Sequence, residues 1–264
     1  MGNNMIEVIN ILNDFKMIVH KFPRETEGIH IYPLGDLHIG SRELDMELFR
    51  KWKRTVLADP VGYVVLIGDM IDNGLRNSKT NVYEATMSPW EQKELLAEEL
   101  RPLKDRILGA IRGNHEERSV RESDDCPMYD VMARLALEDL YREGAGFVKI
   151  NLGEKNKERQ WSYTIVLAHG ASKSKVDKFN YSIDGMDVMI SGHTHQPSSN
   201  FPAKIVVDNH NEQVRLVGFV NVVVPSFARM GGYALKGMYM PQDSGKFPVL
   251  MLSGTEKEVN VLWM

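Results

Sequence analysis

The chain has 264 residues, 43% hydrophobic and 26% charged, with a formal net charge of −4. This is ordinary globular composition with material for one large core, and the acidic balance argues against a protein built as a whole to coat nucleic acid, although a local basic surface stays open. No run of about 18 apolar residues occurs, and Glu7, Asn10, Asn13, Asp14 and Lys16 interrupt the first segment, so neither a membrane span nor a signal peptide is expected. The single cysteine, Cys126, forms no internal disulfide, favours a reducing, cytoplasmic setting and reads as a spectator thiol.

In chain order, residues 1–25 are ambiguous between helix and edge strand. Residues 29–34 read as a strand ending at Gly35. Residues 44–57 have helical spacing, with Leu44, Leu48, Trp52 and Val56 on one face. The run from Tyr63 to Ile67 reads as a strand buried on both faces. Ser88, Pro89 and Glu91 read as the N-cap, first turn and capping-box acid of a helix reaching about Leu100. A strand is expected at 107–111 and a helix at 128–141. Beyond Gly144 the pattern changes to strands at 147–151, 161–168, 188–190, 203–207 and 214–223, then a hairpin of 249–252 with 259–263. The order predicts an α/β chain with an antiparallel second half, as a single domain over residues 1–264.

Five short motifs lie along this frame: Gly35-Asp36-Leu37-His38, Gly68-Asp69-Met70-Ile71-Asp72, Gly113-Asn114-His115-Glu116, His169-Gly170 and Gly192-His193-Thr194-His195. Asp36, Asp69 and Asn114 each follow an expected strand, where loops of open α/β sheets form a ligand crevice. The donors are nitrogen and oxygen without cysteine, which argues against a structural zinc cage and suits Mn, Fe, Zn or Co. They are an inventory for two ions about 3.5–4 Å apart that activate a water for in-line attack on phosphorus. His20, His30 and His210 fall outside the motifs and read as ordinary structural or surface residues.

These motifs resemble those of the calcineurin-like metallophosphoesterase superfamily, over roughly residues 28–197. The resemblance implies a four-layer α/β/β/α sandwich of two mixed sheets. It assigns Asp36, His38 and His195 to one metal, Asn114, His169 and His193 to the other, and Asp69 to both, with Mn the favoured ion. It gives His115 contact with the substrate phosphate, alongside Asn114, and protonation of the leaving oxygen. Asp72 is to orient that imidazole and keep it charged.

The substrate is less sharply drawn. Arg112-Gly113-Asn114-His115-Glu116 is similar to a motif of Ser/Thr protein phosphatases, yet Asn73 stands where those enzymes carry a phosphate-gripping arginine. Gly-His-Thr-His at 192–195 and Asp-Leu-His-Ile-Gly at 36–40 look like the phosphodiesterase and DNA-repair exonuclease branches. The expectation is a phosphodiesterase acting on DNA or a nucleotide. The alternatives are a phosphomonoesterase and an inactive metal-binding interaction module. Lys173, Lys175 and Lys178 are candidate contacts to a polyanion, and Lys173 and Lys175 the closest of them in sequence to His169. Arg118 and Arg121 sit among acids and read as a solvated loop surface. Residues 75–89, with Arg76, Lys79, Asn81, Tyr83 and Met87, read equally as a substrate-facing wall and a surface connection.

Overall fold

The computed structural model describes residues 16–76, 78, 85–170, 179, 180, 182–231, 235, 238 and 245–264. Its framework is a pair of six-stranded mixed sheets. The first contains β2 (Gly28–Leu34), β3 (Gly62–Leu66), β4 (Ile107–Ile111), β5 (Tyr141–Arg142), β13 (Pro248–Ser253) and β14 (Val259–Trp263), in the order β14-β13-β2-β3-β4-β5. Its β2, β3, β4 and β5 are parallel, and the C-terminal hairpin adds to β2 antiparallel. The second sheet contains β1 (Ile18–Lys21), β6 (Gly146–Asn156), β7 (Arg159–Ala168), β8 (Val188–Ser191), β9 (Ser198–Asn200) and β12 (Val220–Val223), in the order β1-β6-β7-β8-β12-β9. β7, β8 and β12 run parallel there. A separate two-stranded ribbon joins β10 (Ala203–Asp208) to β11 (Gln213–Gly218).

The β-branched runs explain the pairing of the sheets. Ile31, Val65 and Ile67 from the first meet Val148, Ile165 and Ile190 from the second in one buried apolar layer. The other face of the first sheet is covered by α1 (Met46–Ala58), α2 (Pro89–Leu100) and α4 (Pro127–Arg134), which bury Phe49, Trp52, Leu96, Leu100 and Val131. On the outer face of the second sheet, Val166, Met186, Met189 and Phe219 form a smaller cluster. Phe179, Asn180 and Ser182 are helical, and residues 171–178 and 181 lie outside the described residues. The chain is thus an α/β protein with two large mixed sheets packed face to face.

Several elements differ from expectation for identifiable reasons. The capping box at Ser88 and Glu91 forms as anticipated, but Pro102 continues the chain as a 3-10 turn over Arg101–Arg106. The helix expected to reach 141 stops at Arg134. Ala136 takes a left-handed φ of 53°, and its N–H bonds Ala133 while Leu137 N–H bonds Met132, a Schellman stop built without glycine. The strand expected over 214–223 is two strands, because Phe219 leaves the ribbon and β12 joins the second sheet. The ambiguous N-terminal segment contributes the edge strand β1; residues 1–15 lie outside the described residues. The loop after Gly113 is instead the helix α3 (Asn114–Ser123), whose buried residues are the polar Glu116 and Ser119.

Glu99 of α2 ties α1 to α2. It is 8% exposed and accepts from Arg50 Nη2 at 2.6 Å, with Lys53 as its second partner. Burial opposes its charge, but hydrogen bonds from Lys53 and Arg50 hold its pKa below the ordinary glutamate value. A depressed folded pKa gives stability present above the unfolded value and lost as pH falls through the folded one. Glu99→Gln should therefore lower the urea midpoint at pH 7, and the gap to the parent chain should close as the pH falls through the folded pKa. Parallel urea titrations across that range check this; a gap that persists unchanged at low pH would refute it.

Candidate metal centre

The C-terminal ends of five strands converge on one point. β2 delivers Asp36 and His38, β3 delivers Asp69 and Asp72, and β4 runs into α3 with Asn114 and His115. From the second sheet, β7 delivers His169 and β8 delivers His193 and His195. The loops after β2 and β3 extend the parallel ladder: Asp36 N–H bonds Gly68 O at 3.1 Å, His38 N–H bonds Asp69 O at 3.0 Å and Ile39 N–H bonds Met70 O at 3.0 Å. Gly68, at φ 85°, lies against Gly113, where a Cβ would collide with the Asp69 carboxylate. Asp36, His38, Asp69, Asn73, His193 and His195 all have φ between 45° and 68°. A non-glycine residue holds that conformation only where its surroundings over-determine it, and such strain gathers at functional sites.

The donor atoms then come together in three overlapping groups. Around Asp69, His169 donates Nδ1–H to the Ile67 carbonyl at 2.8 Å, which turns Nε2 inward. That Nε2 lies 3.1 Å from Asp69 Oδ2 and 3.1 Å from Asn114 Oδ1, and His193 Nδ1 lies 2.6 Å from the same amide oxygen. Around Asp36, His195 Nε2 lies 3.2 Å from Oδ1 and 3.3 Å from His38 Nε2. His38 Nδ1 is buried without a hydrogen-bond partner. In the neutral tautomer fixed by Ile67, His169 Nε2 presents a lone pair toward two oxygen lone pairs. That arrangement is repulsive unless a cation or a proton sits among them. Asp36, His38 and His195, and likewise Asp69, His169 and His193, offer ligand atoms within 4.8 Å of one another. The nitrogen and oxygen donor set fits divalent ions.

Charge follows from this crowding. Burial works against the Asp69 carboxylate, yet the neighbouring His169, His115 and His38 hold its pKa far below the usual range. Burial likewise opposes a charged His169, but the Asp69 carboxylate outweighs it and pushes the pKa up to about 10. His38 moves the other way, well down, through burial and then the adjacent His115.

His115 stands beside these donors and offers a ligand atom within 4.8 Å of those of His38 and Asp69. Its Nδ1–H donates to the Asp72 carbonyl at 2.7 Å, while the Asp72 carboxylate lies 3.5 Å off. Its Nε2 faces Asp69 Oδ2 at 3.8 Å. Burial lowers its pKa, but Asp72 and Asp69 together raise it overall. Asn73, in the place of the phosphatase arginine, is fully buried and pins α3 through the His115 carbonyl at 2.7 Å and Ser119 Oγ at 2.9 Å.

Three contributors were not foreseen. Glu116 is fully buried, and its carboxylate accepts N–H bonds from Asp69, Met70, Ile71 and Gly113 at 2.7–3.2 Å. Ser226, from a segment with no motif, donates Oγ–H to the Asp36 carbonyl at 3.0 Å. Arg118 corrects the reading of a solvated loop: it lies on α3, half-buried, and donates to the Asp72 carbonyl at 3.0 Å. His20 bonds the Leu108 carbonyl and His30 pairs with Asp59, away from the centre, and His210 is exposed. Lys173, Lys175 and Lys178, and Lys79, Asn81 and Tyr83 of the expected wall, lie outside the described residues. Of that wall, Arg76 is exposed and Met87 packs against the helical core. A cavity of about 480 Å³ opens beside Asn114 and His169, lined also by Arg112, Ala145 and Phe179.

A family model described as calcineurin-like phosphoesterase matches residues 29–197, and the chain belongs to that family. Membership places it among metal-dependent phosphoester hydrolases. No curated protein matches it. Among solved structures it is similar to Yfce, a phosphoesterase from E. coli, at 15% identity over 89% of this chain and 98% of that one, with a TM-score of 0.42. It is similar to a metallophosphoesterase from Sphaerobacter thermophilus at 12% identity over 90% and 88%, with a TM-score of 0.43. It is also similar to Vps29 from Chaetomium thermophilum at 12% identity over 89% and 97%, with a TM-score of 0.41. Among the described residues, no helix is long and apolar enough to cross a membrane.

A divalent ion held between His169 and Asp69 would compete with a proton for that space. Because the His169 pKa is raised to about 10, binding at neutral pH must expel a proton. Affinity for Mn²⁺ or Zn²⁺ should rise by about tenfold per pH unit between pH 6 and 8. Isothermal titration in buffers of different ionisation heat should register that release; affinity independent of pH would contradict it.

Proposed function

We propose that the chain is a phosphodiesterase with two divalent ions, a single domain over residues 1–264, acting on nucleic acid or a nucleotide in a reducing, cytoplasmic setting. In this reading Asp36, His38 and His195 hold one ion, and Asn114, His169 and His193 hold the second. Asp69 serves both, and Mn is favoured over Fe, Zn or Co. The observation that carries the reading is the cluster of inward-facing donors around Asp69, with His169 Nε2 at 3.1 Å from Oδ2 and locked by the Ile67 carbonyl. Two such ions supply a water activated near neutral pH and neutralise charge on the phosphoryl oxygens.

The side chains do the rest. His115 has Nδ1 committed to the Asp72 carbonyl, so Nε2 is the nitrogen that carries a transferable proton. Asp72 and Asp69 raise its pKa against the cost of burial, which favours His115 as an acid for the leaving oxygen. Asp72 orients it. Asn114 and His115 contact the substrate phosphate, and Lys173, Lys175 and Lys178 hold the backbone of a longer substrate. The cavity beside Asn114 has room for the part of a nucleotide beyond the phosphorus.

The diester is favoured because Asn73 is spent on holding α3 and leaves no arginine at that position to grip a dianion. A second reading, a phosphomonoesterase, is favoured by Arg118, whose half-buried guanidinium sits against Asp72 within reach of His115 electrostatically. The comparison that decides uses bis(p-nitrophenyl) phosphate and p-nitrophenyl phosphate under one metal condition, followed by single-stranded and duplex DNA. Higher kcat/KM on the diester, with cleavage of a nucleotide or nucleic acid, supports the proposal. Monoester preference without either cleavage would overturn it.

His115→Asn should keep the ions and lose about 10²–10⁴-fold in turnover. The loss should be larger on unactivated esters, which need protonation most. Equal losses on activated and unactivated esters would mean that His115 only positions substrate.

A further inference from the structure

The β10–β11 ribbon carries an apolar face that the centre does not use. Ile205 lies directly across from Leu216, and Val207 across from Val214, with Phe201 continuing the same face by alternation along the strand. These five side chains are 64–75% exposed. By the same alternation, Ala203 and Gly218 complete the face, so it contains no charged or hydrogen-bonding side chain. The opposite face is anchored: Lys204 bonds the Ile183 carbonyl and lies over the Phe219 ring, and Val206 and Val217 are half-buried. The ribbon is thus fixed to the body on one side and bare on the other. A lone two-stranded ribbon is marginal in water, and a contiguous exposed apolar face of this size marks an interaction surface.

We propose that this face packs against the same face of a second copy of the chain, forming a two-fold symmetric dimer. Two observations select that occupant. First, the face offers no charge or polar side chain with which to recognise a chemically different protein, whereas a second copy presents a matching apolar surface. Second, the area suits it. Five apolar side chains expose roughly 100 Å² each, so two copies would bury about 1,000 Å², the lower bound for a specific interface. An interface of that size is weak and reversible. The two ribbons would stack as a small β-sandwich about 10 Å thick, with Ile205 and Leu216 at its centre.

Sedimentation velocity of the full chain tests this. The parent chain should be largely dimeric at about 100 µM and dissociate toward monomer near 1 µM, as a micromolar interface requires. Ile205→Lys combined with Leu216→Lys should be monomeric throughout with an unchanged melting temperature, since neither residue belongs to the buried clusters. A measurement without substitutions guards against misfolding: methyl resonances of Ile205 and Leu216 in the parent chain should shift with concentration while that of Ile165 does not. A parent chain monomeric at the higher concentration would overturn the proposal. So would a dimer that survives the double substitution, or methyl shifts absent at the ribbon. Flotation with phosphatidylcholine vesicles that the double substitution abolishes, with no self-association, would give the face to a lipid surface and likewise overturn it.

Discussion

Asp69 is a carboxylate 2% exposed to solvent, and Glu116 behind it is fully buried as well. Two carboxyl groups so close and so dry are costly to ionise unless donors and cations surround them, and burial together with the neighbouring Asp69 pushes the Glu116 pKa up. The chain provides both. Glu116 gathers four backbone N–H groups from the ends of β3 and β4, and the first turn of α3 gives the His115 N–H to Asp69 Oδ1 at 2.8 Å. The positive end of a helix favours negative charge at that place. The remaining face of Asp69 is left to imidazoles. Glu116 thus fixes the loop that carries Asp69 to the loop that carries Asn114, and the spacing of the donors rests on that buried clamp.

The same requirement connects the site to the core. Asp36, Asp69 and Asn114 come from the first sheet, whereas His169, His193 and His195 come from the second. Their separation is set by the apolar layer between the sheets, through residues such as Ile67, Leu167 and Ile190. A core of this kind resists compression and transmits strain, so a cavity introduced there should be felt at the metal centre before it is felt in the outer helices. The left-handed φ values at Asp36, His38, Asp69, His193 and His195 fit this view. Asp36 and His38 are held there by the loop-to-loop ladder after β2 and β3, Asp69 by Glu116, and His193 by the Asp36 carboxylate.

The sequence made the donors legible because nearly all lie close to glycine and most follow a strand-like run, and both signals are local. Convergence of Asp36, Asp69 and Asn114 followed from strand-end placement, and that of His38, His169, His193 and His195 with them was implied by the family resemblance. What escaped was held by long-range polar contacts. α3 has a buried face made of Glu116 and Ser119, so hydrophobic periodicity gave no helix signal there. Glu116 was adjacent to the Asn114-His115 pair, yet its task is done for residues 45–47 positions away. Ser226 reaches Asp36 across 190 residues. The break at Phe219 was hidden because an exposed ribbon strand and a buried sheet strand share the same β-branched composition, and β9 because Ser198, Ser199 and Asn200 give no strand signal.

In the proposed function Asp69 belongs to two metal positions at once. Metal content after dialysis, measured by mass spectrometry on the parent chain, Asp69→Ala and His195→Ala, tests it most directly. Two ions per parent chain, both weakened in Asp69→Ala and only one in His195→Ala, is the predicted result. Full double occupancy in Asp69→Ala would contradict it.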